Sequence, residues 1–231
     1  MATPIPKAET FLSRHWNQIA RLAARGDMDE ALPAIVRLPD RLADHGQAPD
    51  VDYRLLAVYF SGLSAVDPVE RTVAGLLEAH CLYRAGDTLP AQQRFAEAVR
   101  ESGAIDDPER ASCLGAMAAC GEALARMRGG DRQAAVRLGR AAVRKSQGLN
   151  CDWLCAYAQH SLGRILAVEP RHRARARAIL QQAADAYRSP TVKDLRGEAY
   201  VLHIKAGNRK PGTTEPTTLG DEQGELVVHN L

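Results

Sequence analysis

Aromatic side chains make up only 5% of this 231-residue chain, which excludes a thick aromatic core and leaves small residues to do much of the packing. No run approaches the roughly 18–20 apolar residues of a membrane-spanning helix. The first ten residues, MATPIPKAET, lack the basic and apolar regions of a secretory signal. The five cysteines form no disulfide framework, so a reducing cytoplasm is the expected location. Lysine is scarce too, at five positions, leaving twenty-five arginines. A net charge of +2 gives no global attraction to nucleic acid or to an anionic membrane. Strand signals are almost absent, because no stretch alternates apolar and polar residues between turn dipeptides. Catalytic signatures are missing as well: there is no G-x-S-x-G, Walker-type loop, H-E-x-x-H or G-x-G-x-x-G.

What is present is helical periodicity, from about residue 6 to residue 206. Asp67-Pro68, Asp107-Pro108 and Ser189-Pro190 each place a capping side chain before a proline, whose missing N–H costs nothing at the first helical position. Asp50 and Asn150 are further candidate caps. With breaks at Gly26, Gly46, Gly86, Gly103, Gly129-Gly130, Gly148 and Pro170, about ten helices are predicted. They cover 6–25, 28–45, 51–64, 68–85, 89–102, 108–128, 131–147, 151–168, 171–187 and 190–206. An all-α domain over 1–206 and a flexible C-terminal tail over 207–231 follow, the tail being polar and rich in Gly, Pro and Thr. At its end Leu226, Val227, Val228 and Leu231 form a small apolar patch able to dock in a groove.

A short phrase recurs along the helical region. Ala91, Phe95 and Ala98 follow A-x3-F-x2-A, and Ala134, Leu138 and Ala141 follow it with Leu for Phe. Ala176, Leu180 and Ala183 match again, and Ala31, Ile35 and Leu38 are a looser copy. Gly26, Gly86 and Gly129 stand five positions before the first residue of their units. Two antiparallel helices cannot bury their apolar faces alone, so repeated pairs are expected to stack. A glycine turn reverses each pair, small residues allow close approach, and the large residue fills the gap to the next pair.

These residues resemble the tetratricopeptide repeat family, in a divergent long-helix form, over roughly residues 10–188. Gly86, Ala91, Phe95 and Ala98 fit its second helix, with Ala79 at the small first-helix position and Leu82 where an aromatic is usual. Glu122 departs from the small residue expected in the third unit, and Leu162-Gly163 fits the fourth only with an insertion. The spacing also exceeds the family's period of about 34. Helix 51–64 fits no unit. The resemblance implies a right-handed α-solenoid whose concave face, lined by the first helix of each pair, holds a peptide or protein partner. Carried over unit by unit, that groove contains Trp16; then His80, Tyr83 and Arg84; then Arg126; then Tyr157, His160 and Arg164. Aromatic and cationic residues together suit an acidic or carboxylate-bearing peptide. The polar pair of chaperone-tail adaptors is replaced by Trp16 and Ala20.

Two other clusters weigh less. Cys151 and Cys155 lie one helical turn apart near His160, but a metal site needs a second pair of ligands, so they are assigned to the core and no cofactor is expected. Arg171, Arg173, Arg175 and Arg177 surround His172 on a basic arc, which reads as a solvated face rather than a nucleic-acid contact. The leading expectation is therefore an adaptor without catalysis. A ligand-sensing regulatory module, binding a small molecule, is the alternative, and an unusual all-helical enzyme or accessory subunit comes third.

Overall fold

The computed structural model describes residues 6–44, 52–63, 65, 67–187, 200–203 and 227–230. Among these, nine α-helices follow one another: α1 (Pro6–Arg25), α2 (Met28–Asp44), α3 (Tyr53–Ser61), α4 (Pro68–Ala85), α5 (Thr88–Ser102), α6 (Pro108–Arg128), α7 (Arg132–Ser146), α8 (Asp152–Ala167) and α9 (Arg173–Tyr187). A single 3-10 turn, Pro170–His172, precedes α9. No helix among the described residues is long and apolar enough to cross a membrane.

Local chemistry sets four of the nine helix starts, those of α3, α4, α6 and α7. Asp67 accepts hydrogen bonds from the Val69 and Glu70 amides at 2.8 and 3.3 Å, and Asp107 from the Arg110 amide at 2.9 Å. Each stands before a proline, as expected. Helix α3 is capped by Asp52; Asp50 lies outside the described residues, as does Ser189-Pro190. At α8 the cap position belongs to Cys151, which makes no side-chain cap bond, and not to Asn150.

The Gly-Asp phrases form three equivalent turns. Gly26, Gly86 and Gly130 adopt φ of 84°, 86° and 90°, a left-handed conformation that strains any residue with a Cβ. After each, the aspartate amide donates back to a carbonyl five residues earlier: Asp27 to Leu22, Asp87 to Leu82 and Asp131 to Arg126, all at 3.0 Å. The third turn corrects the repeat by one residue, because the equivalent glycine is Gly130 and not Gly129. The slots of Ala91, Phe95 and Ala98 are then filled by Ala135, Gly139 and Ala142, all buried, whereas Ala141 is exposed and Leu138 half-buried. With no side chain on Gly139, Leu162 and Ile165 of α8 close in on it instead.

Packing builds three layers. Helices α4, α6 and α8 lie side by side, α5, α7 and α9 alternate against them, and α2 touches α4, α6 and α8. The central helix α6 is consequently buried almost all round, from Cys113 to Ala125 with the exception of Ala119, which requires small residues on every side. Phe95 of α5 sits directly over Gly121 of α6, so it does fill the gap to the next pair. Leu180 of α9 instead sits over Gly163 within its own pair. Helix α3, outside the repeat, packs on α4 and sends Arg54 to Asp87 at 2.7 and 2.8 Å.

At the C-terminus the expected helix over 190–206 is corrected at residues 200–203 and the expected unstructured tail at residues 227–230, while 188–199, 204–226 and 231 lie outside the described residues. Tyr200–His203 forms strand β1, which pairs antiparallel with β2 (Val227–Asn230), Tyr200 opposite Asn230 and His203 opposite Val227. A short apolar run with β-branched residues suits a strand as well as a helix, and the partner strand decides. Val227 and Val228 thus pair with β1, while Leu226 and Leu231 lie outside the described residues.

Two substitutions test this packing. Gly121→Ala drives a methyl into the Phe95 ring and is expected to cost about 1–3 kcal/mol, read as a lower urea midpoint and partly restored by Phe95→Leu. Gly130→Ala meets no atom within 4 Å, so its expected loss of about 1–2 kcal/mol is backbone strain alone.

Candidate functional site

Seven of the eight groove residues fall on one layer. His80, Tyr83 and Arg84 lie on α4, Arg126 on α6, and Tyr157, His160 and Arg164 on α8. Trp16 is carried on α1, half-buried against the apolar core. The two ends of the layer differ. The turn between α1 and α2 covers the starts of α6 and α8: the Arg110 guanidinium donates to the Ala24 carbonyl at 2.6 Å, and Asp29 accepts from the Cys151 thiol at 3.2 Å and the Trp153 amide at 3.3 Å. The other end carries Arg84, Arg126 and Arg164, each in the last turn of its helix, where the helix dipole favours a cation.

The three helices repeat a local motif, a buried polar residue followed four positions later by arginine. On α4 it is His80 and Arg84, on α6 Glu122 and Arg126, on α8 His160 and Arg164. His80, Glu122 and His160 are 7–8% exposed. Glu122 and Arg126 form an ion pair at 2.8 Å, and Arg126 also reaches Asp131 at 3.4 Å. His80 packs edge-on against Phe95 with ring centres 5.1 Å apart, and His160 against Tyr187 at 6.5 Å. The Nε2 atom of each histidine is buried and makes no hydrogen bond within the described protein.

Electrostatics follows from burial. Desolvation, with an arginine one turn away, pushes both His80 and His160 down to about 3, so both imidazoles are neutral at pH 7. Burial also pushes the Tyr157 phenol well above its ordinary range, against the opposing fields of Arg164 and Arg84. Both arginines therefore act on the same tyrosine, from α4 and α8. Tyr157 stacks on Trp153 with ring centres 4.9 Å apart, while Tyr83 is half-buried beneath Arg128 at 5.3 Å.

The expected groove is therefore split by depth. Tyr157, His160 and His80 are interior, Arg84 is exposed, and Tyr83, Arg126 and Arg164 are half-buried at the rim. Sequence reasoning missed Glu122 as a member of the site, although its spacing to Arg126 is that of a helical ion pair. Trp153 was missed too, although it stands one helical turn before Tyr157; Tyr187 carries no such signal, because its contacts depend on how α9 returns along α8. Cys151 is buried; its hydrogen bond to Cys113, together with burial, pushes its thiol far up. Cys155 donates to the Ser146 carbonyl at 2.9 Å. Among the described residues, no group of three or more His, Cys, Asp or Glu is gathered to hold a metal.

Comparison with known protein families, curated proteins and solved structures finds no match for this chain.

The histidines make a pH prediction. Their folded values near 3 lie below the unfolded value of 6.5, so the unfolded chain binds more protons in between. Their contribution to stability is complete above pH 6.5 and is lost as pH falls toward 3. The urea midpoint is expected to fall across that window, less steeply in His80→Gln. The imidazole NMR signals of His80 and His160 should stay fixed between pH 5 and 8.

Proposed function

We propose that this chain is a protein-interaction adaptor whose helix pairs form a tetratricopeptide-like right-handed solenoid. The α4–α6–α8 layer binds an acidic or carboxylate-bearing peptide segment of a protein partner. The observation that carries this reading is the presence of Arg84, Arg126 and Arg164 in the last turns of α4, α6 and α8, at the end of the layer that the α1–α2 turn does not cover. Arginine forks at a half-buried rim bind carboxylates by charge-assisted hydrogen bonds, and Tyr83 adds an amphipathic surface beside them. No catalytic step is part of this reading.

A second reading, a module that senses a small molecule, draws on the two buried Nε2 atoms of His80 and His160. A ligand donor reaching either would remove an unmet hydrogen-bonding demand, and such a ligand would raise the melting temperature by mass action.

The adaptor reading is tested with a fluorescent Glu/Asp-rich peptide bearing a free C-terminus, titrated by anisotropy. Arg164→Glu and Arg84→Glu are each expected to weaken binding at least about tenfold, the equivalent of about 1.4 kcal/mol, with helix content unchanged. Equal affinity of wild type and both variants removes this layer from the site. Arg126 is the poorer probe, because its loss strands the buried Glu122 carboxylate.

A further inference from the structure

Several arginines elsewhere in this fold are neutralised by nearby carboxylates. Arg94 binds Glu78 at 2.7 Å and reaches Glu97 and Glu101, Arg54 binds Asp87, and Arg110 faces Asp107 at 3.2 Å. Helix α7 breaks that pattern. Its fifteen residues include Arg132, Arg137, Arg140, Arg144 and Lys145 and no carboxylate.

Four of these arginines line one pocket of about 410 Å³, closed on the other side by Arg171 and His172 of the 3-10 turn before α9. The volume falls within the roughly 300–1,000 Å³ range of small-ligand sites. One carboxylate faces them, and it is already engaged. Glu169 accepts from Arg171 at 2.6 Å and lies 3.5 Å from His172. The hydrogen bond from Arg171, then the fields of Arg171, His172 and Arg132, hold its carboxyl below the usual range. Among the described residues, Arg137, Arg140 and Arg144 have no hydrogen-bond or ion-pair partner.

These three stand at three-, four- and seven-residue spacings on one face of α7, where like charges destabilise a helix. The arrangement is unfavourable alone and becomes favourable when a multivalent anion bridges the guanidiniums. Guanidinium forks match phosphate oxygens bidentately. The rest of the lining is Gln133 and Val136, and the pocket's one aromatic ring is the His172 imidazole, whose Nε2 lies 3.5 Å from Glu169.

We propose that the α7 pocket binds a small oligophosphate anion, a chain of two or three linked phosphates, through Arg137, Arg140, Arg144 and Arg171. The lining recognises the phosphate chain and nothing attached to it. This site lies on the second helix layer and is independent of the peptide-binding face on α4, α6 and α8.

The test is calorimetric titration of the full chain with sodium tripolyphosphate at pH 7.5 and 100 mM salt. Saturable binding is expected, weakened at least tenfold by Arg140→Glu and by Arg137→Glu, with melting temperatures matching wild type. Because these side chains have no partner among the described residues, loss of fold is not the expected result; circular dichroism checks it, and Arg140→Gln supplies a milder variant. A nucleoside triphosphate bound as tightly as tripolyphosphate supports recognition of the phosphate chain. A nucleotide bound tenfold tighter overturns it, since the base would then supply part of the recognition. Absence of heat, binding no tighter than to sulfate, or unchanged affinity in both charge-reversal variants overturns the site. A duplex DNA bound more tightly than tripolyphosphate also overturns it, in favour of an extended nucleic-acid surface.

Discussion

Everything in this fold depends on how closely α6 is approached. A helix buried on nearly all sides presents no polar face to solvent, and its neighbours must come near enough to leave no void. Alanine, glycine and cysteine along α6 make that approach available, and Phe95 over Gly121 occupies the space that a side chain there would need. The same exchange recurs with the roles reversed at Gly139, where α7 supplies the small residue and α8 the large ones. Because each contact is a matched pair of large and small, the layers have little freedom to slide.

Three polar members of this tight interior occur at corresponding places. His80, Glu122 and His160 each stand one turn before an arginine in the closing turn of a layer helix. The buried partner differs, neutral imidazole on the outer helices and carboxylate on the central one, and the electrostatics differ with it. Around Arg126 the charge is balanced by Glu122 and Asp131, whereas on the outer helices the residue one turn before the arginine is a neutral imidazole. At the opposite end of the layer, the hydrogen bonds of Arg110 and Asp29 fasten the α1–α2 turn over the starts of α6 and α8. One layer thus has a covered end and a cationic end.

Charge balance also differs from helix to helix. Arg54, Arg94 and Arg110 act as staples between elements, each fixed by carboxylates or carbonyls of another helix. The arginines of α7 do nothing comparable, so they stabilise neither their own helix nor its neighbours. A net charge of +2 hides this asymmetry, because the carboxylates are concentrated where the staples need them.

Much of the architecture was legible in the sequence, since local physics determines it. Helical periodicity placed α1 to α9 within a few residues, the Asp-Pro caps set the starts of α4 and α6, and Gly-Asp marked turns that require a left-handed residue. The candidate site was legible as a set of residues on α4, α6 and α8, but not as a surface. What the tertiary structure alone decided was everything that depends on a distant partner. The turn at Gly130 and the close approach of Leu162 and Ile165 to Gly139 moved the third repeat by one residue, which an alignment of alanines cannot detect. Val227–Asn230 made a strand of residues whose own pattern also suits a helix. The return of α5 along α4 and of α9 along α8 covered two of the groove residues, Phe95 packing on His80 and Tyr187 on His160. Likewise the approach of the Pro170–His172 turn to α7 converted two separate basic segments into one pocket. Hydrophobic period and capping act over a few residues, whereas burial and charge balance depend on residues far apart in the chain.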